Sequence, residues 1–397
     1  MHTDQKSWFS GEMRLISVIL FIVEFVRGAV LISLLPIYGA KTLGLPPDVI
    51  GTAISAHYIT DTMLKMAIGY LLDRFSVRLV VQTGLVLSLA GVYLLQFADL
   101  PWMFIGAAAL YGIGMSPLWI VCLTKVSEDK RATQMGYLYT IWMVGLGSGP
   151  IVCNILLDMS VSFTYLLLVS LSVLACLLSF FMSKEKATTP NRLPMRQQFI
   201  ILKERLRHMK LLLPGMILQT TGVSMLVPIL PSFADKELGL SGTQYSILLT
   251  AGGLCAAAGL IPMGKLSDKL GGKKWFLVVG FAIFAVALCL LASRFTFWYC
   301  LLIAIALGLS YAAILPAWNA LLAAYVPPKQ EGLGWGILST IEGVGVMIGP
   351  IAGGFIAAWH GEISVFWISA VLFGLISIFY LWFPFRAFGT SEEATMK

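Results

Sequence analysis

The feature that most constrains this sequence is a series of twelve long apolar runs separated by short polar segments. A helix that spans a bilayer needs about 20 mostly apolar residues. Membrane barrels would instead have short alternating segments. With 58% hydrophobic and 12% charged residues in 397 positions, the chain is too apolar for a soluble globule of this size. The sequence therefore predicts an all-α membrane protein with twelve transmembrane helices at about 14–38, 49–72, 79–98, 101–124, 134–157, 162–183, 210–233, 243–267, 275–293, 296–322, 332–358 and 363–385.

The second half of the chain repeats the first. A charged turn that begins at Gly69 returns 195 positions later at Gly264, and Gly149 returns at Gly349, an offset of 200 that Pro150 shares with Pro350. We therefore predict two pseudo-symmetric bundles of six helices, with domains at 1–183 and 210–397 joined by a segment at 184–209.

The basic residues indicate how the chain is oriented. If the N-terminus is inside the cell, cytoplasmic segments contain 22 of the 27 Lys and Arg residues, as the positive-inside rule requires. This predicts a multi-pass protein of the cell membrane with both termini in the cytoplasm. The net charge of +7 then needs no nucleic-acid partner. The segment 184–209 combines basic residues with apolar residues at helical spacing, which predicts an amphipathic helix on the cytoplasmic surface.

The two charged turns have a common pattern that suggests a gate. An Asp at a helix end can pair with an Arg or Lys across the interface between two bundles, and a small Gly allows close approach of a neighbouring helix. The alternative is a positive-inside loop without a gating role. The candidate gating residues are Gly69, Asp73, Arg74 and Arg78 in the first copy and Gly264, Asp268, Lys269 and Lys273 in the second.

This pattern resembles the loop motif of the major facilitator superfamily, Gly-x-x-x-Asp-(Arg/Lys)-x-Gly. The second copy matches it nearly completely, whereas the first has Ser76 in place of the last Gly. The resemblance implies a major facilitator fold in which two bundles rock around a central site. A second motif, from Gly345 to Gly354, resembles the glycine-proline motif of antiporters in this superfamily. Gly allows close packing and Pro bends a helix, which suits a gate and a static bundle equally.

Ionisable residues inside the apolar runs are the candidates for a functional site. Glu24 and Arg27 lie one turn apart in the first run, and His57 and Asp61 lie one turn apart in the second. A charge at the centre of a membrane helix costs at least ~2.5–3.5 kcal/mol, so such residues usually have a function. Asp61, near the middle of its run, is the better candidate for a proton carrier. The Glu24–Arg27 pair could instead fix packing, and His57 could be a hydrogen-bonded core residue.

Away from the ends of its runs, the second half has a single charged residue, Glu342. It is a second protonation candidate or a hydroxyl-binding group, or else it forms a hydrogen bond that supports packing. The central cavity is therefore predicted to be polar on one side and apolar on the other. Trp119 and Trp142 could stack on a sugar ring, although Trp in a membrane bundle often serves packing.

Longer strings in both halves carry a narrower resemblance. Glu24-Phe-Val-Arg27-Gly28, His57-Tyr-Ile-Thr-Asp61 and Ser116-Pro117-Leu-Trp119 are similar to those of the proton-coupled flippases that move the glycolipid anchor of lipoteichoic acid in Gram-positive bacteria. This resemblance implies a diglucosyl-diacylglycerol-type substrate, exchanged for protons. It also implies a headgroup pocket in the first half, formed by Glu24, Arg27, Asp61, Trp119 and Trp142, with acyl chains sheltered by the second half.

Other classes of function fit less well. A multidrug/proton antiporter is the main alternative, but the segment before Gly112 lacks the Arg that such antiporters carry. A carrier of wholly polar solutes would need more hydrogen-bond donors in the second half. Nucleotide-binding and metalloprotease motifs are absent from the sequence, and its four His residues are scattered, so we expect neither an enzyme nor a cofactor or metal. The expected partners are an amphiphilic or glycolipid substrate, protons and membrane lipids, bound by a monomer.

Overall fold

A computed structural model describes residues 11–124, 131–184, 213–270, 273–323 and 331–382. Every described element is helical. In chain order the helices are α1 (Gly11–Thr42), α2 (Pro47–Arg74), α3 (Val77–Leu95), α4 (Pro101–Thr124), α5 (Arg131–Met159), α6 (Val161–Ser179), α7a (Leu213–Ser224), α7b (Leu230–Lys236), α8 (Gly242–Leu270), α9 (Lys273–Ala292), α10 (Phe297–Ala323), α11 (Glu331–His360) and α12 (Glu362–Trp382).

The helices correspond to the twelve predicted spans. Ten of them, in the part of the chain that the structure describes, are long and apolar enough to cross a bilayer. The second span, α2, is a helix of 28 residues whose polar side chains reduce its mean hydropathy. The seventh differs from prediction, because it is divided into α7a and α7b rather than continuous. Pro228 and Pro231 lack backbone donors at and just after this break, which explains why one α-helix does not continue through it.

The first span also departs from a regular α-helix. It becomes π-helical at Ala29–Leu34 and again at Tyr38–Thr42, on either side of Pro36. A proline within a helix removes one hydrogen bond, and wider π turns accommodate the resulting mismatch. The hydroxyl of Ser33 donates to the carbonyl oxygen of Pro150 on α5 at 3.3 Å. The irregular half of α1 is therefore attached to its neighbour by a side chain.

The chain forms two compact units. Unit 1 comprises residues 1–45 and 52–192, and unit 2 comprises 46–51 and 193–397. In unit 1, α1 packs on α5, and α3 packs on α4 and α6. In unit 2 the corresponding helices make the same pairs, since α7a packs on α11, and α9 packs on α10 and α12. The predicted duplication is therefore visible in the packing. The predicted surface helix in the segment 184–209 lies, apart from Lys184, outside the described residues.

Glycines of the repeated glycine-proline motif form the closest of these contacts. A Cβ atom at Gly149 would overlap the carbonyl oxygen of Phe25 on α1. Its repeat mate Gly349 is equally close to Ser224 on α7a, and Gly353 to the carbonyl oxygen of Met225 just beyond that helix. The motif thus brings the fifth helix of each unit into backbone contact with the first, as Gly does at helix interfaces in membranes.

Candidate functional site

Three of the predicted site residues meet inside unit 1. The guanidinium of Arg27 on α1 lies 3.1 Å from Oδ2 of Asp61 on α2 and 3.6 Å from Oε1 of Glu24, one turn earlier on α1. The Arg27 side chain is 15% exposed and both carboxylates are 4% exposed. One buried cation is therefore shared by two buried anions from adjacent spans.

Neighbouring helices fix the position of these groups. The hydroxyl of Thr60, next to Asp61, lies 2.9 Å from the carbonyl oxygen of Ala109 and so connects α2 to α4. Gly112, one turn further along α4, lies so close to the His57 carbonyl oxygen that a Cβ atom would overlap it. On the other side, Gly145 of α5 lies directly against the Cβ atom of Glu24. The backbone that carries Asp61 is therefore held against α4, and the backbone that carries Glu24 is held against α5.

Ser116 is a further partner of Asp61 and was not among the predicted site residues. Its Oγ atom lies 2.8 Å from Asp61 Oδ1 and 2.5 Å from the backbone carbonyl oxygen of the same residue. Ser116 is 1% exposed and Asp61 is 3% exposed. Arg27 and Ser116 thus contact different oxygens of one carboxylate. The string Ser116-Pro117-Leu-Trp119 drew attention to Trp119, and only the spatial arrangement shows that Ser116 contacts Asp61.

Aromatic rings complete the surroundings of the charges. The Cζ atom of Arg27 lies 5.7 Å from the centre of the Tyr58 ring, within the range of a cation–π contact. The fully buried ring of His57 packs on Tyr111 with a centroid distance of 4.9 Å and meets Tyr58 edge-on at 5.4 Å. His57 is therefore part of a ring cluster beside the charged group, while Asp61 and not His57 contacts the cation.

This arrangement is suited to binding a proton. With both carboxylates ionised, Glu24, Arg27 and Asp61 together carry one negative charge, which is costly in a membrane interior. One added proton brings the three groups to neutrality. If Asp61 receives it, the guanidinium loses one ionic partner and retains Glu24. No three His, Cys, Asp or Glu residues within the described ranges are arranged to hold a metal ion.

The two predicted tryptophans belong to one row of rings in unit 1. Tyr139 of α5 is the middle ring, with centroid distances of 5.4 Å to Trp119 and 6.4 Å to Trp142. Tyr139 is 47% exposed within this structure. Trp119 follows Ser116 by one helical turn on α4, so the row of rings begins next to the charged group. Sequence reasoning found both tryptophans and missed the tyrosine between them.

In unit 2, Glu342 has a well-defined partner. Its Oε1 atom accepts a hydrogen bond of 2.8 Å from the indole N–H of Trp318, which is 2% exposed. This contact joins α10 to α11 within unit 2. Glu342 thus has a role in packing, and its predicted part in protonation or hydroxyl binding stays a prediction.

Residues in and next to the two charged turns contact helices of their own unit. A Cβ atom at Gly264 would make only ordinary van der Waals contact with Pro316 of α10, so the helices do not require a Gly there. The Arg78 Nε atom donates to the carbonyl oxygen of Met182 at 2.7 Å, just beyond the end of α6. In unit 2, Lys274 donates to the carbonyl oxygen of Leu381, in the last turn of α12, at 2.9 Å. Arg78 and Lys274 thus donate hydrogen bonds to carbonyl oxygens at helix ends of their own units.

The remaining gating candidates are less informative. Arg74 and Lys269 are exposed at or near the ends of α2 and α8. Gly69, Asp73, Asp268 and Lys273 lie in helices, but their side chains lie outside the described part of the structure. The latch between bundles therefore stays a prediction.

Comparison with known proteins places this chain in a family. The family model described as the Major Facilitator Superfamily matches residues 16–218 and again residues 212–395. The chain belongs to this superfamily, a class of multi-pass membrane transporters, and the predicted fold of two six-helix bundles is confirmed. The two successive matches agree with the internal duplication.

Individual proteins of known name are similar to this chain over nearly its whole length. The chain is 33% identical over 371 residues to the proton-coupled antiporter flippase LtaA of Staphylococcus saprophyticus, with 91% of this chain and 92% of the relative covered. It is 31% identical over 370 residues to the protein of the same name in Staphylococcus aureus strain N315, with 92% and 93% covered. The crystal structure of the nucleoside transporter NupG is similar in fold, with a TM-score of 0.78 at 14% identity and with 93% of this chain and 98% of that chain covered.

Proposed function

We propose that this protein is a proton-coupled antiporter that flips a glycolipid anchor, such as diglucosyl-diacylglycerol, across the cytoplasmic membrane for lipoteichoic acid assembly. Relatives of this function align with more than nine-tenths of the chain. The observation that carries the proposal is Arg27, held between the buried carboxylates of Glu24 and Asp61. Such a group can bind a proton and a polar headgroup in turn, since the proton and the sugar hydroxyls compete for the same carboxylate oxygens.

The exchange follows from this competition. While Asp61 is ionised, sugar hydroxyls of the headgroup can donate to the Asp61 and Glu24 carboxylates, and a proton that binds Asp61 removes one of these charged acceptors and releases the headgroup. Release of the proton restores the carboxylate, which pairs with Arg27 at 3.1 Å, and the site can then bind the next headgroup. Trp119 and Trp142 offer ring faces on which sugars can stack. In this proposal the apolar second half of the chain shelters the acyl chains, and the proton gradient drives the lipid outward.

Several further assignments belong to the same proposal. The protein acts as a monomer in the cell membrane, with both termini in the cytoplasm. It is a transporter and performs no covalent chemistry on its substrate. The two charged turns form the gate, and residues 1–183 and 210–397 move as separate bundles joined by 184–209. His57 and Glu342 take part in substrate binding or proton coupling.

The decisive experiment compares two substrates in one system. Purified protein in liposomes is supplied with labelled glucosyl-diacylglycerol or with a lipophilic cationic dye, with and without a pH gradient, and leaflet accessibility of the label is followed. We expect the gradient to drive the glycolipid and to leave the dye at the rate of protein-free liposomes. Proton-driven movement of the dye without movement of the glycolipid would instead identify a multidrug/proton antiporter.

A further inference from the structure

We propose that Ser116 is a positioning residue that provides Asp61 with a hydrogen-bond partner in both of its protonation states. This inference rests on the proposed function, in which Asp61 carries the proton. Ser116 belongs to one of the strings that carry the resemblance, but the resemblance gives it no role. Two distances carry it, 2.8 Å from Ser116 Oγ to Asp61 Oδ1 and 2.5 Å from the same atom to the Asp61 carbonyl oxygen.

A serine hydroxyl has one proton and two lone pairs. It can therefore donate to only one of its two neighbouring acceptors at a time. When Asp61 is ionised, the Ser116 hydroxyl donates to Oδ1, where a negative acceptor gives the stronger bond. When Asp61 takes up a proton on Oδ1, this new O–H donates to Ser116 Oγ. The Ser116 hydroxyl then rotates and donates to the backbone carbonyl oxygen of Asp61.

No buried donor or acceptor at this contact is left unsatisfied by the exchange. This matters because Ser116 and Asp61 are 1% and 3% exposed, and an unsatisfied buried polar group is strongly disfavoured. Arg27 can donate to the ionised carboxylate of Asp61, but it cannot accept a hydrogen bond from the protonated form, since a guanidinium only donates. The indole of Trp318, which donates to Glu342, is limited in the same way. Among these carboxylate contacts, the hydroxyl of Ser116 alone can both donate and accept.

The scaffold around the pair supports this role. Thr60 connects α2 to α4 at 2.9 Å, so the backbone that carries Asp61 stays close to the helix that carries Ser116. The other titratable and charged groups described around Asp61 are Arg27 and Glu24 on α1, His57 and Tyr58 on α2, and Tyr111 on α4. None of them bridges the Asp61 carboxylate and its own backbone carbonyl in the described contacts.

Substitutions that separate the two hydrogen-bonding abilities test the proposal. Ser116→Ala removes both, Ser116→Thr keeps both, and Ser116→Cys keeps weak forms of both. We expect Ser116→Ala to reduce proton-driven glycolipid flipping by about tenfold or more, since the ionised carboxylate loses a charge-assisted hydrogen bond. The midpoint of its pH profile should change, because the hydrogen bond to the ionised carboxylate is stronger than the one from the acid. Ser116→Thr should restore both the flipping rate and the midpoint, and Ser116→Cys should give values between those of Ser116→Ala and wild type.

The control is Ser172→Ala, which removes a hydroxyl bonded within its own helix. This variant should match wild type in both measurements.

Infrared difference spectroscopy provides a measurement that does not depend on substrate. Lowering the pH should produce a carboxylic-acid C=O band that disappears in Asp61→Asn. In Ser116→Ala this band should move to higher frequency, because the acid has lost its partner, and Ser116→Thr should return it. An unchanged band and pH profile in Ser116→Ala would overturn the role of Ser116 while leaving Asp61 as the carrier. Absence of any band that depends on Asp61 would instead contradict the proposed proton coupling itself.

Discussion

At the scale of single residues, the central feature is one guanidinium between two carboxylates. Asp61→Asn keeps the size of the side chain and its contacts with Arg27 and Ser116, but removes the titrating group. We expect proton-driven flipping to fall to the level of protein-free liposomes, and Arg27→Ala to have the same effect because both carboxylates lose their cation. The measurement is leaflet accessibility of the glycolipid under an imposed pH gradient.

The control for this pair of variants is Asp158→Asn, which neutralises an exposed acid in the last turn of α5. It should flip the lipid at the wild-type rate. All three variants should elute as the wild type does in size-exclusion chromatography. Full activity in both Asp61→Asn and Arg27→Ala would remove the charged group from the mechanism.

Glu342 allows packing to be distinguished from protonation. Glu342→Gln retains an oxygen that can accept from the buried indole of Trp318 at 2.8 Å, whereas Glu342→Ala leaves that N–H unsatisfied. If the main role of Glu342 is packing rather than protonation, Glu342→Ala loses about 1–3 kcal/mol of stability. Its Tm in detergent falls, while Glu342→Gln keeps both Tm and proton-driven flipping. Loss of flipping in Glu342→Gln at an unchanged Tm would make this carboxylate part of proton coupling.

The sequence predicts the charged residues of the site but not their polar neighbours. Glu24, Arg27 and Asp61 stand out because ionised groups are rare in apolar runs. Ser116 and Tyr139 do not, since Ser and Tyr are ordinary residues of membrane helices. Whether Ser116 meets Asp61 depends on the rotation of α4 against α2, which Thr60 and Gly112 determine through contacts between segments distant in sequence.

At the scale of helices, the glycines of α5 allow a sharp comparison. A Cβ atom at Gly149 would overlap the Phe25 carbonyl oxygen, whereas one at Gly147, two residues earlier, would meet nothing within 4 Å. Gly149→Ala must therefore push α1 from α5, with an expected loss of about 1–3 kcal/mol. Gly147→Ala should leave Tm unchanged or raise it slightly, because Ala favours helix. Equal Tm values for the two variants would contradict this account of the motif.

The charged turn of unit 1 can be tested in a similar way. Arg78 donates to the carbonyl oxygen of Met182, so Arg78→Gln should loosen the chain at the end of α6 and cost about 1 kcal/mol. Hydrogen exchange should become faster in residues 177–184. Arg14→Gln, at an exposed Arg near the start of α1, is the control and should leave this peptide unchanged. Lost flipping with unchanged exchange would favour the gating role over helix capping.

Helix positions are predicted from the sequence more reliably than helix irregularities. A run of about 20 apolar residues is sufficient to locate a span. The division between α7a and α7b and the π turns around Pro36 are different, because their unpaired backbone groups must find partners elsewhere in the fold. Ser33 is one example, since its bond to the Pro150 carbonyl oxygen joins positions 117 residues apart. Such pairings are not visible in a local pattern of hydrophobicity.

At the scale of the whole molecule, the two units share their helix pairs but differ in charge. Unit 1 buries Glu24 and Asp61 around Arg27, whereas Glu342 is the one acidic residue that the sequence places within the predicted spans of the second half. Duplication preserved the glycines that bring helices together at Gly149 and Gly349. The charged group of unit 1 has no equivalent in the repeat. This division suits an amphiphilic substrate better than a wholly polar one.

The duplication also makes a prediction about orientation in the membrane. Asp99 and Arg294 lie 195 positions apart, in the turns that follow α3 and α9. Because an even number of spans separates them, both turns must lie on the same side of the membrane. With 22 of the 27 Lys and Arg residues in the segments assigned to the cytoplasm, that side is outside. A phosphatase that folds only outside the cytoplasm should be active when it is inserted at either turn and inactive when it is fused after Lys397. A fluorescent protein that folds only in the cytoplasm should fluoresce when it is fused after Lys397 and stay dark at either turn. Opposite results at Asp99 and Arg294 would contradict the twelve-span topology, and activity of the phosphatase after Lys397 would reverse the orientation.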